Sequence, residues 1–331
     1  MKLSKFLNLG ILFSAITAFS QNVASTATLT SGGLNAGTSG TQNAFYGSEA
    51  GKVNTGNKNT FLGNLSGKLN TTGYDNTFVG TEAGTSNSLG RANTYIGNAS
   101  GNGNNGNDNT FLGASSGDTY IGNNNTLIGT ASGVGSSGNN NTFLGSGTGT
   151  EAQGSGNVYI GNHVGSEISN DNKLFIDNTN TIMPLIWGDF AQDQLKFNGK
   201  VGIGYGFGNF PTTAGSVNVS NYNLFVKGGI LTEEVRVNLQ GDWADYVFSK
   251  DYELMPLQKI EIFIKENGHL PNMPSAKQVK EKGIELGQIA KMQQEKIEEL
   301  TLHMIEQNKT IEKQSEEIKE LKELVKQLIE K

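Results

Sequence analysis

Cysteine is absent from all 331 residues, which excludes a disulfide scaffold, thiol catalysis and Cys-based zinc sites. Proline is nearly as scarce, with five residues, so neither a collagen helix nor a proline-rich linker fits. His163, His269 and His303 are the three histidines; they fall in different regions, and no Ser/His/Asp arrangement is visible. Charged residues make up 17% with a net charge of −6, which is not the balance of a broad nucleic-acid binder. No run after the first twenty residues reaches the 18 apolar residues of a membrane-spanning helix. What is abundant is glycine, with 45 residues, and asparagine, with 39. Glycine stands at about twice its usual share of roughly 7%. This composition suits a repeat or fibre protein better than a globular enzyme, and the sequence assigns no catalytic, cofactor-binding or metal site.

The N-terminus reads as an export signal. Lys2 and Lys5 precede the apolar stretch Phe6 to Phe19, and Ala18-Phe19-Ser20 before Gln21 has the small-x-small form of a cleavage site. The expectation is a signal peptide over residues 1–20, a polar segment over 21–42, and a secreted chain with no direct membrane insertion.

From there the chain repeats itself. Asn43-Ala-Phe-Tyr-Gly, Asn59-Thr-Phe-Leu-Gly, Asn76-Thr-Phe-Val-Gly, Asn93-Thr-Tyr-Ile-Gly and Asn109-Thr-Phe-Leu-Gly come first. Asp118-Thr-Tyr-Ile-Gly, Asn125-Thr-Leu-Ile-Gly, Asn141-Thr-Phe-Leu-Gly and Asn157-Val-Tyr-Ile-Gly follow. The spacing is 16 or 17 residues once the Asp118 unit is taken as an extra half-turn. A second glycine recurs four residues after the first, from Gly51 to Gly165. A fixed period of this size is the mark of stacked coils. Each five-residue unit has the content of a short strand bounded by glycine turns. Two short strands and two turns are expected per coil, with coils about 4.8 Å apart. The leading Asn is expected to tolerate positive φ and to hydrogen-bond along the stack.

Successive strand residues point to opposite faces, and here both faces are apolar. Position three carries Phe45, Phe61, Phe78, Tyr95, Phe111, Tyr120, Leu127, Phe143 and Tyr159; position four carries Tyr46, Leu62, Val79, Ile96, Leu112, Ile121, Ile128, Leu144 and Ile160. One set can fill the coil. The other leaves an apolar stripe that soluble monomers avoid, so self-association is expected.

The Asn-Thr-Phe-Leu-Gly-x-x-Ser-Gly pattern over residues 43–165 resembles the head repeats of trimeric autotransporter adhesins. The resemblance implies a left-handed parallel β-roll, a homotrimer and extracellular display, without naming a ligand. The family's repeat is nearer fourteen residues, so the turns here are longer. That family also continues into membrane-embedded strands, whereas here the heptads run to Leu328-Ile-Glu-Lys331.

Residues 166–240 read as a β-rich neck or shaft. Lys173 to Asp177, Pro184 to Phe190 and Gln194 to Phe197 are strand-like, and Asn198-Gly199 is expected to turn a hairpin from Leu195/Phe197 into Val201/Ile203. A further strand pair is expected from Leu224-Phe-Val226 and the alternating Leu231, Val235, Val237 and Leu239. Lys173–Phe190, with Val201-Gly-Ile-Gly and Asn223-Leu-Phe-Val-Lys-Gly, looks like the C-terminal shaft of secreted tail-fibre-like proteins. The stretch from Asp242 through Leu286-Gly resembles a module of the same proteins. Residues 241–283 are read as a short helical module: a helix over Leu257 to Asn267 stopped by Gly268, and a second capped by Ser275 and closed by Gly283.

Residues 284–331 carry heptads and are read as a coiled-coil stalk. Position a holds Ala290, Ile297, Met304, Ile311, Ile318 and Val325, and position d holds Leu286, Gln293, Leu300, Gln307, Gln314, Leu321 and Leu328. Ile at a with Leu at d favours dimers, but three Gln layers weaken that preference and fix register, so the head is taken to set three chains. Look-alike motifs are read as structural. Gly101-Asn-Gly103-Asn-Asn-Gly106 satisfies G-x-G-x-x-G but lies among turns, without a βαβ unit. Gly202 to Gly208 fails for the same reason. Asp171, Asp177, Asp189 and Asp193 are oxygen donors of a kind calcium takes, yet they are read as turn carboxylates. The expected function is adhesion or structural display by a secreted homotrimer without catalysis. The alternative is a receptor-binding tail fibre of a phage or contractile particle.

Overall fold

Glycine corners and three-residue strands wind the repeat into stacked coils. The computed structural model describes residues 23–26, 28–206, 208–238, 241 and 243–330, so the expected signal peptide lies outside the described residues. The chain forms two compact units, one ending at Gly199 and the other beginning at Lys200.

The first unit is a β-solenoid of about nine turns. Its parallel strands are β2 (Leu29–Gly32), β3 (Asn43–Tyr46), β4 (Thr60–Leu62), β5 (Thr77–Val79) and β6 (Thr94–Ile96). They continue as β7 (Thr110–Leu112), β8 (Thr126–Ile128), β9 (Thr142–Leu144), β10 (Val158–Ile160) and β11 (Lys173–Ile176). Each pairs with its neighbours in chain order and in repeat register, so that Phe61 lies opposite Phe78 and Phe78 opposite Tyr95. Nine steps of about 4.8 Å make a ladder about 43 Å long. Antiparallel strands close it at both ends: β1 (Val23–Ser25) on β2, and β12 (Ile186–Asp189) then β13 (Gln194–Phe197) beyond β11. Lys196 of β13 lies over the Trp187 ring at 4.3 Å, and a lysine on an edge strand discourages further pairing.

Position three faces inward. Phe45, Phe61, Phe78, Tyr95 and Phe111 are fully buried and stack with centroids 5.1, 4.9, 4.7 and 4.9 Å apart. A smaller residue, Leu127, follows, and the Asp118 unit explains how the core stays filled. Its Tyr120 enters the interior beside Leu127, edge-on to Phe111 at 5.7 Å, and its hydroxyl hydrogen-bonds Asn125 Oδ1 at 3.1 Å. Ile121 pairs with Ser137 instead of joining the main ladder. The extra unit is therefore a half-turn. Two glycines per coil are dictated by this packing. A Cβ on Gly84 would lie 2.5 Å from the Phe78 ring, and one on Gly63 would lie 2.5 Å from the carbonyl carbon of Gly80 in the next coil.

The leading asparagines are buried and work as clamps. Asn59 Nδ2 donates to Gly73 O at the end of its own coil (2.8 Å), and Asn59 Oδ1 accepts the Asn76 N–H of the next (3.0 Å). The same two bonds recur at Asn76 and Asn93, each worth about 1 kcal/mol net. A second buried polar column, Asn54, Asn70, Asn87 and Asn104, lies in the same interior; Tyr95 donates to Asn104 Oδ1 at 3.0 Å.

Four expectations are corrected. Each coil carries one strand rather than two; a second ladder exists only as single bridges through Ile121, Ser137, Gln153 and Ser169. Positive φ belongs to the residue before the leading Asn, as at Lys58 (57°), Asp75 (58°) and Asp108 (58°), and not to the Asn itself, whose backbone runs straight into the strand. Asn198-Gly199 turns no hairpin, because β13 has already paired with β12; Asn198 Nδ2 donates instead to Pro184 O at 2.6 Å. Residues 231–238 form no strand pair with Leu224–Val226: that strand is taken by Val201–Ile203 in parallel, and Leu239 lies outside the described residues.

The second unit holds two small sheets and the helices. β14 (Val201–Ile203) pairs in parallel with β17 (Leu224–Val226), and β15 (Thr213–Ala214) with β16 (Val217–Asn218) in antiparallel. A short 3-10 turn spans Ala244–Phe248. Helix α1 (Leu257–Asn267) ends at Gly268 in the left-handed region, φ 74°. Helix α2 (Ala276–Lys282) starts on a capping box between Ser275 and Gln278. Helix α3 (Leu286–Ile329) runs for 44 residues, about 66 Å at 1.5 Å per residue.

Candidate assembly surfaces

Strand alternation turns positions two and four outward. Position two is mostly threonine. Position four exposes Tyr46 by 42%, Leu62 by 48%, Ile96 by 38%, Leu112 by 43% and Leu144 by 44%. The sheet thus shows a column of apolar side chains, with Val79 and Ile128 partly exposed between the more exposed ones. One coil step of about 4.8 Å separates each from the next, beside a column mostly of threonines. An exposed apolar strip of this length is a candidate interaction surface.

Helix α3 repeats the situation. Ile297, Leu300, Met304, Ile311, Ile318, Leu321 and Val325 are all more than half exposed. The opposite side of the same helix, where a heptad pattern predicts open solvent, is covered by its own unit. Ala244 and Val247 of the 3-10 turn are buried, as are Glu295 and Glu298 of the helix. Tyr246 donates to the Glu295 carboxylate and Tyr252 to that of Glu299. Lys296 bridges Glu295 at 2.9 Å and Glu299 at 2.6 Å. Around Glu295 and Glu298 the polar face is occupied, while the apolar face is open; beyond Met304 every face of the helix is exposed.

This cluster gives the docking of Tyr246 a pH window. The hydrogen bond to Glu295, with burial and the charges of Glu295, Glu299 and Glu298, pushes the Tyr246 hydroxyl up to about 12. Burial opposes the Glu295 carboxylate, but donors from Tyr246, Lys296 and Asn272 outweigh it and hold it below its ordinary value. Lys296 is raised: burial works against its charge, and the bonds to Glu299 and Glu295 prevail. Lys291 sits over the Tyr246 ring at 5.4 Å. A raised tyrosine stabilises docking below its free value of about 10 and loses that stabilisation as pH rises through the folded value. A depressed glutamate stabilises docking above about 4.3 and loses that as pH falls through its lower folded value. Tyr252 is raised as well, by burial and its bond to Glu299. Trp243 fluorescence should therefore stay flat between these limits and change outside both. Tyr246→Phe should diminish the alkaline transition and leave the part that belongs to Tyr252 and Lys296.

The residues singled out for chemistry lie apart. Asp177 Oδ1 accepts from the Asn178 and Thr179 N–H groups and the Thr179 hydroxyl, and Oδ2 from the Leu185 N–H; the Leu185 bond leads in holding its pKa down. Asp189 is paired with Lys173 at 2.9 Å, which lowers its pKa. Asp171 accepts the Ser155 N–H at 2.6 Å, and Asp193 occupies a turn with φ 52°. No three His, Asp or Glu side chains converge among the described residues. His163 is a solenoid corner, φ 55°; His269 packs edge-on to Phe263 at 5.6 Å; His303 Nε2 is buried on α3 without a partner among the described residues. Gly101–Gly106 is a coil turn: Gly101 lies against the Tyr95 ring and Gly106 O accepts from Asn93. Gly202 opens into β14, and Phe207 lies outside the described residues.

The fold defines a repeat protein: a parallel β-solenoid followed in the chain by a long C-terminal helix. Comparison with protein-family models, with curated proteins and with solved structures gives no match.

Proposed function

We propose that the chain is the subunit of a secreted homotrimeric fibre at the cell surface or in the surrounding matrix, serving adhesion or structural display and performing no catalysis. The observation that carries this reading is the pair of exposed apolar stripes, one on the solenoid sheet and one along α3. Both are regular; the inner side of the solenoid sheet is already packed, and α3 carries its stripe on beyond the part its own unit covers. Burying an aliphatic side chain is worth about 1.5–3 kcal/mol, so a column of such residues repays association many times over. In this reading three solenoids wound as left-handed rolls turn their position-four columns toward a common axis, and three copies of α3 close their a and d residues into a coiled coil. Export by the N-terminal segment brings the chain outside the cell.

Native mass measurement on the secreted chain is the direct test. A mass three times that of the subunit is expected at micromolar concentration. A single-subunit mass with both stripes exposed would remove the reading, and a stable dimer would replace the threefold arrangement.

A further inference from the structure

The outer turn before each strand carries its own hydrogen-bonded ladder, in which a side-chain oxygen of one coil accepts a backbone N–H from the coil before it. Asn57 Oδ1 accepts from Thr41 (2.8 Å), Asn107 from Arg91 (3.1 Å), Asn123 from Asn107 (2.9 Å) and Asn139 from Asn123 (2.8 Å). The ladder breaks at Tyr74 and Arg91. They occupy this column in the backbone pairing, Ala92 N–H donating to Tyr74 O and Asp108 N–H to Arg91 O. Both lie in the two coils that are 17 residues long, 59–75 and 76–92. Arginine has no acceptor, and the tyrosine hydroxyl stands at the far end of its ring. As a result the N–H groups of Asn57 and Tyr74, which would donate to this column, have no partner among the described residues.

The gap is not bare. It opens on a surface concavity of about 290 Å³ lined by Asn57, Lys58, Tyr74 and Asp75 together with threonines of the same turns. The Tyr74 ring is 42% exposed, and the Arg91 guanidinium lies over it at 5.9 Å. Lys58 and Arg91 are exposed and form no ion pair among the described residues. One short stretch of an otherwise monotonous surface therefore gathers two unused backbone donors, two cations and an aromatic face, with the Asp75 carboxylate at the rim. The donors and cations call for an anion rich in acceptor oxygens. The ring calls for a flat C–H face, and Asp75 accepts from hydroxyls. A sugar ring bearing a carboxylate meets all three demands, and the volume lies at the small end for ligand sites, suited to a single ring.

We propose that the ladder break at Tyr74 and Arg91 is a binding subsite for one acidic saccharide unit, a carboxylated pyranose held by its anion and stacked on Tyr74. The subsite deepens the adhesion reading and rests on it for its purpose, but its geometry lies within one solenoid and does not depend on how many chains assemble.

The test titrates the mature full chain with tetragalacturonate, sialyllactose, a sulfated oligosaccharide and neutral cellotetraose by calorimetry, with native mass measured on the same samples. One of the carboxylated sugars should bind, at least about tenfold more tightly than the sulfated and neutral ones. Tyr74→Ala and Arg91→Ala should each weaken it about tenfold or more. The decisive variant is Tyr74→Asn with Arg91→Asn, which supplies the missing ladder acceptors; it should unfold no earlier than the wild type and lose binding altogether. Lys58→Gln, on an exposed side chain, gives a second reading if either alanine variant folds poorly. Absence of binding to both carboxylated sugars, equal binding of cellotetraose, stronger binding of the sulfated sugar, or binding that survives in the ladder-restored variant would each overturn the subsite. A trimer that fails to bind removes the subsite alone; a monomer that binds keeps the subsite and removes the fibre.

Discussion

Phe78→Ala should destabilise the solenoid by about 3–5 kcal/mol, among the largest losses from any single interior substitution in this chain. The ring is fully buried and lies between Phe61 at 4.9 Å, 8° from parallel, and Tyr95 at 4.7 Å, 3° from parallel. A cavity costs most where its walls cannot move in. Here they are held apart by backbone bonds to the coils on either side and by the asparagine clamps, so the site cannot collapse, and two ring contacts worth about 0.5–1.5 kcal/mol each are lost with it. The chain itself supplies the control. At Leu127 the ring is naturally missing, and Tyr120 of the preceding coil reaches forward to fill the space. The matching position, in the coil before that of Phe78, is Asn70. Phe78→Leu should therefore cost less when combined with Asn70→Tyr than alone. Urea unfolding monitored by far-UV circular dichroism reads both effects, and a loss below about 1 kcal/mol for Phe78→Ala would mean that the stacked column is not what holds the coils together.

The solenoid was legible because its most constant residues are those that geometry constrains most. Asn, the aromatic, and the two glycines recur since each has one permitted neighbour in the stack, and their spacing places the strands from β3 to β10. β2 and β11, which extend the ladder into the segments read as polar and as neck, lie outside the repeat. What lay beyond reading was whatever the stack fills by volume rather than by identity. The column that begins Asn54, Asn70, Asn87 and Asn104 passes on to Tyr120, Ser136, Ala152 and Ile168, so no single letter marks it. Its only signal is a place three residues after the second glycine of each coil. Which apolar column faced inward was also undecidable, since phenyl rings and aliphatic chains suit either side. The structure assigns the rings to the interior because Gly67 and Gly84 lie flat against them, while the aliphatic column has no such seat. The false hairpin at Asn198-Gly199 has a different cause: a good turn dipeptide specifies a bend but not the partner of the strand that enters it, and β13 pairs with β12 while β14 pairs with β17. The broken outer ladder was hidden by its own regularity, because a Tyr and an Arg among asparagines stand out only once the column is known.

That division of the two columns fixes how the assembly should come apart. Leu62→Asp, Ile96→Asp and Leu112→Asp together change side chains that are 48%, 38% and 43% exposed on one chain. Each solenoid should tolerate them, since surface substitutions of this kind usually cost within about 0.5 kcal/mol. Nine carboxylates brought against one axis in a trimer are a different matter, because an unpaired buried charge costs several kcal/mol and none of the three columns supplies a cation. The head contacts should be lost while the coils keep their β signal. The helix still holds the chains together at that point, so the mass should fall to one subunit only when Ile311→Asp and Ile318→Asp, both about half exposed on α3, are added. Phe61→Asp with Phe78→Asp must behave in the opposite way: those rings belong to the interior, and charges there should melt the coils themselves, lowering the β signal with the helical signal intact. If the five-substitution chain keeps the mass of the wild type, the aliphatic column and the heptad stripe are not what the subunits share. If it becomes a folded monomer, the stripes left uncovered on one chain are the surfaces by which the chains meet.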